Sequence, residues 1–132
     1  MPIWLKEAEI RYIHHDQLVD HGGLRAAHDE GALESTLARP LQLLNCEPET
    51  TLAELAACYG YGFARNHAFA DGNKRMALVT MDLFLMINGY TLTAAEEEAV
   101  VIINEVASGV MSQQELAEWI EQNSRSFDLD AE

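Results

Sequence analysis

Three hydroxyl residues each stand three positions ahead of a glutamate: Thr51 with Glu54, Thr93 with Glu96, and Ser112 with Glu115. At that spacing the hydroxyl accepts from a first-turn backbone N–H while the carboxylate reaches back to the hydroxyl residue's own amide, so each pair marks a helix start. Between the marks, apolar residues recur at helical spacing, as in Leu78, Met81 and Leu85, and Pro40, Gly60, Gly62, Gly89 and Gly109 punctuate. The pattern predicts helices near 6–21, 31–45, 52–66, 73–88, 94–107 and 113–122, with little strand signal, no internal repeat and no linker long enough to separate domains. The fold class expected is all-α, a compact bundle of about six helices built by residues 1–123, followed by a loose acidic tail over 124–132. A chain of 132 residues that is 48% hydrophobic has enough apolar material for one core and too little length for two ordinary domains.

Charge and cysteine content narrow the function classes. Twenty-two acidic residues against 8 basic ones give a net charge of −14, which argues against direct nucleic-acid binding, because that rests on neutralising phosphates. The acidity favours a basic partner, and equally fits simple solubility or a saline or alkaline host. The N-terminal MPIWLKEAEI turns charged by Lys6, so no secretory leader is read there, and the apolar run from Met76 carries Asp82 and meets Gly89 too soon to span a bilayer. A cytoplasmic protein is the expectation. Cys46 and Cys58 show no metal-ligand spacing, so reduced thiols are expected.

Residues 67–75 read HAFADGNKR and run directly into the helical pattern that begins near Asn73. Asp71 and Gly72 fall at the cap and opening turn of that helix, and Asn73 and Lys74 in its first turn, where backbone N–H groups lack internal partners. Those donors and the positive end of the helix dipole form an anion site. Lys74 and Arg75 would destabilise this end of a helix on electrostatic grounds, and their presence makes sense when an anion is bound between them. Asp71 reads either as a plain N-cap or as a Mg2+ ligand, since magnesium usually takes only one or two protein carboxylates and completes its shell with phosphate and water. His67 can take a proton from a hydroxyl near neutral pH. Phe69 reads as an apolar plug that turns His67 and Asp71 outward. His14, His21 and His28 fall at steps of seven, but Gly22 and Gly23 interrupt the helix that would align them, and His14 reads as structural.

Seven of those nine positions, His67, Phe69, Asp71, Gly72, Asn73, Lys74 and Arg75, resemble the Fic/Doc superfamily motif, and Lys74, where Fic nucleotidyltransferases carry glycine, makes the segment similar to the Doc (death on curing) toxins. The similarity extends to IHHDQLVDHGG at 13–23, GALESTLARP at 31–40 and ELAACYGYGFARNHAF at 54–69, and covers about residues 8–122. Ala68 departs from it, since proline is frequent there. The resemblance implies a Fic/Doc-like bundle with the motif loop preceding a central helix. It implies a kinase that moves the γ-phosphoryl group of ATP, with Mg2+, to a threonine of elongation factor Tu and halts translation. His67 would be the base, Asp71 the metal ligand, and Gly72, Asn73, Lys74 and Arg75 the phosphate cradle. Arg65 matches a Doc arginine that clamps phosphate or orients the histidine; read on its own it is a cation at a helix C-terminus. The loop CEPET at 46–50 corresponds to the flap on which a target peptide docks. Thr93 and Glu97 have the spacing of the family's inhibitory helix, yet Glu98 follows where glycine or asparagine belongs, so control is expected from a Phd-like antitoxin in trans, through a segment that folds on binding. Two other readings remain at this point: AMP transfer in the Fic manner, and a noncatalytic module that binds nucleotide or antitoxin.

Overall fold

A computed structural model describes residues 1–21, 29–69 and 72–127. The elements run α1 (Glu7–His21), α2 (Glu30–Cys46), α3 (Leu52–Arg65), α4 (Asn73–Ile87), β1 (Tyr90–Leu92), α5 (Glu96–Ser108), α6 (Gln113–Gln122) and β2 (Ser124–Ser126). The class is all-α, as the periodicity predicts, with six helices among the described residues and one small sheet. The break expected at Gly22 and Gly23, His28, the side chain of His21, Asp71 and the acidic end from Asp128 onward lie outside the described residues.

Helix α3 sits at the centre, packed against α2, α4, α5 and α6. Its sequence explains the position: from Leu55 to Gly60 every residue is buried, with Gly62, Phe63 and Ala64 following, so it has no wet face through its middle turns. Small residues let neighbours come close. A Cβ on Gly60 would stand 2.6 Å from Cγ of Met81, so bare backbone there lets α4 approach α3. Tyr59, Phe63, Leu55, Met81, Phe84 and Leu116 fill the centre at essentially zero exposure, and each such side chain contributes about 1.5–3 kcal/mol by leaving water. Tyr59 and Phe84 meet at 5.1 Å between ring centroids, and Trp4 and Phe84 at 6.1 Å.

Polar bonds fix the ends of the chain. Asn88, which caps α4, accepts from the Ile3 amide at 2.7 Å and donates to the Ile3 carbonyl at 3.0 Å, pinning the N-terminal segment. The Leu5 amide donates to the Tyr59 hydroxyl, and burial pushes that phenol up to about 12. On the surface, Arg11 pairs with Glu7 and Glu30, tying α1 to the start of α2.

Two of the three expected capping boxes form, at Thr51–Glu54 and Ser112–Glu115. The third does not. Helix α5 starts after Ala95, whose methyl group can make no cap bond, and the Thr93 amide donates to the Asn123 carbonyl at 2.6 Å. That bond extends an antiparallel ladder in which Tyr90, Thr91 and Leu92 pair with Ser126, Arg125 and Ser124, closed at its other end by the Phe127 amide on the Gly89 carbonyl. Ser124–Ser126 is therefore strand and not loose tail. Pro40, expected as punctuation, lies buried inside α2, which continues through it to Cys46. Both cysteines are free thiols, and burial holds Cys58 above the ordinary thiol value. No helix among the described residues is long and apolar enough to cross a membrane.

Candidate active site

Helix α3 ends at Arg65, and its cap residue Asn66 donates its side-chain amide to Thr36 of α2 at 3.0 Å, which fixes where the next residue starts. That residue is His67, with φ at 52°, a left-handed conformation uncommon for any residue bearing a Cβ. Strained backbone of this kind persists where the surroundings enforce it, and it gathers at functional sites. Here it throws the chain from the end of α3 into the loop and leaves the imidazole exposed.

Ala68 and Phe69 then turn inward. The Ala68 carbonyl accepts from the Asp29 amide at 2.8 Å. The Phe69 ring is 4% exposed and lies between His14, stacked at 3.6 Å and 12°, and Phe63, at 6.2 Å and 5°. Phe69 is thus the plug expected, and His14 is buried beneath the loop as its platform.

Asn73 closes the loop. Its carboxamide accepts from the Phe69 amide at 3.1 Å and donates to the Phe69 carbonyl at 2.8 Å, standing in for the backbone partner of a sheet. The side chain is therefore engaged by the loop itself. Gly72, at φ 80°, supplies the left-handed turn into α4 with no side-chain cap, and the first turn carries no acidic residue. A Cβ on Gly72 would lie 3.4 Å from Nη2 of Arg75 and 3.5 Å from Nε2 of His14, so the turn is tight as well as left-handed.

These residues line an open pocket of about 510 Å3 together with Ala64, Asn104, Ala107 and Ser108. His67, Gly72, Asn73, Lys74 and Arg75 are thus brought to one cavity. Lys74 is exposed, and Arg75 is partly buried with its Nε shielded from solvent and without a hydrogen-bond partner among the described residues. A buried donor of that kind costs about 1–3 kcal/mol when left unmade. No Asp or Glu among the described residues lines the pocket, in a chain with 22 of them.

Arg65 stands apart. Its Nη1 donates to the Val106 carbonyl at 3.3 Å and its guanidinium carbon lies 5.9 Å from the centre of the Tyr61 ring. It ties the end of α3 to the end of α5 and is not among the residues lining the cavity. Sequence reasoning missed the α5 wall, Asn104, Ala107 and Ser108. Their spacing marks one helix face, but only tertiary packing tells which cavity that face borders.

Mostly helical architecture with the HAFADGNKR segment leading into a helix with one buried face defines the class: the chain belongs to the Fic/Doc family, whose model, described as Fic/DOC family, matches residues 4–85. Among named relatives, the chain is 32% identical over 112 residues to the protein kinase doc of Escherichia phage P1, covering 85% of this chain and 88% of that protein. It is 38% identical over 90 residues to the toxin Doc of Mycolicibacterium smegmatis, covering 66% of this chain and 69% of that toxin.

Proposed function

We propose that the chain is a Doc-like toxin, a protein kinase that transfers the γ-phosphoryl group of ATP to a hydroxyl, most simply a threonine, of a translation factor such as elongation factor Tu. The single observation that carries this reading is the cavity in which the exposed His67 shares walls with Lys74, the unpartnered buried Nε of Arg75 and the amino end of α4. Phosphoryl transfer asks a protein mainly for positioning and charge neutralisation, and those groups provide both.

In this reading the His67 imidazole accepts the hydroxyl proton as the oxygen bonds to the γ-phosphorus, and the bond to the bridging oxygen breaks to release ADP. Gly72 leaves the first-turn amides bare, and those of Asn73 and Lys74 donate to phosphate oxygens while the Lys74 ammonium and the Arg75 guanidinium balance their charge. Arg65 fixes the end of α3, two positions before His67, and so orients the base. A magnesium ion, when bound, would draw charge from the phosphates. By its place in the motif, Asp71 would be its protein ligand, with the nucleotide's own oxygens and water completing the shell. A kinase that halts translation needs restraint, so we propose a Phd-like antitoxin in trans and a cytoplasmic site of action.

The test is incubation of the chain with elongation factor Tu and with cell lysate, using γ-labelled or α-labelled ATP. Label from the γ position alone supports the kinase, label from the α position would establish AMP transfer instead, and no label with retained nucleotide binding would leave a binding module. His67→Ala is expected to lower transfer at least about 100-fold and to abolish growth arrest in expressing cells while the helical signal persists. Full toxicity of that variant would refute the base assignment.

A further inference from the structure

The pocket has two unlike walls. One is cationic, made by Lys74, Arg75 and the start of α4; the other is uncharged and belongs to the last turns of α5, where Asn104, Ala107 and Ser108 share a face at spacings of three and four. That neutrality is local, because α5 opens with Glu96, Glu97 and Glu98 and carries Glu105 beside Asn104. A carboxylate on the pocket face would repel any phosphate held opposite.

The Asn104 side chain is exposed and makes no hydrogen bond among the described residues, so its amide donors and its acceptor are open to a ligand. Ser108 donates its hydroxyl proton to the Glu105 carbonyl at 3.2 Å, which leaves its oxygen able to accept. The wall is also held in place, since Arg65 binds the Val106 carbonyl at 3.3 Å between these two residues. A nucleotide whose phosphates occupy the cationic wall has an uncharged remainder, with ribose hydroxyls and base edges that present donors and acceptors together. A neutral carboxamide and a hydroxyl match that chemistry, and the small Ala107 between them leaves room for it.

We infer that Asn104 and Ser108 bind the nucleoside half of ATP, a role that rests on the kinase reading and adds to it a second recognition surface outside the motif. The phosphates then supply charge-driven affinity on one wall, and the α5 wall supplies the preference for a nucleotide over a bare polyphosphate.

The test is calorimetric titration of the full chain, in magnesium buffer, with ATP and with inorganic tripolyphosphate. Asn104→Ala places a good helix former at an exposed helical position, so the fold should hold. It is expected to weaken ATP binding about 3- to 10-fold, the worth of one or two neutral hydrogen bonds, and to leave tripolyphosphate unchanged. Ser108→Ala should shift ATP binding in the same direction. Lys74→Ala should weaken both ligands. Unchanged ATP binding by both α5 variants, while Lys74→Ala weakens it, would overturn the inference and leave the kinase reading standing. Equal weakening of both ligands by Asn104→Ala would also overturn it. Failure of the parent chain to bind either ligand would overturn both readings.

Discussion

Asp82 shares a second cavity of about 340 Å3 with Leu78, Val79, Leu92, Ala99 and Glu96, and loss of hydration there holds its carboxyl above the ordinary value of 3.8. A carboxyl whose folded pKa lies above its unfolded one destabilises the fold wherever it is ionised, and that penalty fades as pH falls toward 3.8 and below. Asp82→Asn should therefore raise the melting temperature at pH 7, and the gain should vanish in acid. A gain that persists undiminished at low pH would assign it to some other cause. The motif residues differ in how far composition alone discloses them. His67, Gly72, Lys74 and Arg75 could be placed together from the sequence because an imidazole, a flexible turn residue and two cations gather around one helix start. The role of the Asn73 carboxamide could not, because its bond to Phe69 exists only once the loop has closed on itself.

At the scale of elements, the helices predicted from periodicity and caps lie within one or two residues of those observed, since a capping box and an apolar stripe are local properties of the chain. The sheet escaped notice for the opposite reason. Tyr90–Leu92 and Ser124–Ser126 are too short to display alternation, and each finds its partner across the whole of α5 and α6. Their pairing takes the Thr93 amide, and α5 has no side-chain cap, although Ala95 has the extended backbone, φ −65° and ψ 149°, that a cap residue needs. Ala95→Ser should accordingly stabilise the protein by about 0.5–1 kcal/mol, measured as a rise in the denaturant midpoint at unchanged slope. A midpoint that does not move would mean the start of α5 is already satisfied.

The whole molecule carries a net charge of −14, and its pocket-lining Lys74 and Arg75 sit where no carboxylate among the described residues intrudes. The overall charge was plain from composition, whereas the separation of signs depends on which faces the bundle turns outward. Self-repulsion among so many carboxylates should be relieved by salt, because the screening length shrinks from about 30 Å at 0.01 M to about 8 Å at 0.15 M. The melting temperature is expected to climb over that range, and a flat or falling curve would count against repulsion as a burden on this fold. The ladder that joins residues 89–93 to 123–127 has a practical bearing on how the gene can be cut or extended. A reporter appended beyond Glu132 leaves the ladder intact, whereas a stop codon after Gln122 would strip hydrogen-bond partners from Thr93 and Gly89 and unfasten the approach to α5. Such a shortened product should keep most of its helices yet melt at a lower temperature than the parent, so trimming the C-terminus for crystal growth would exchange rigidity for brevity.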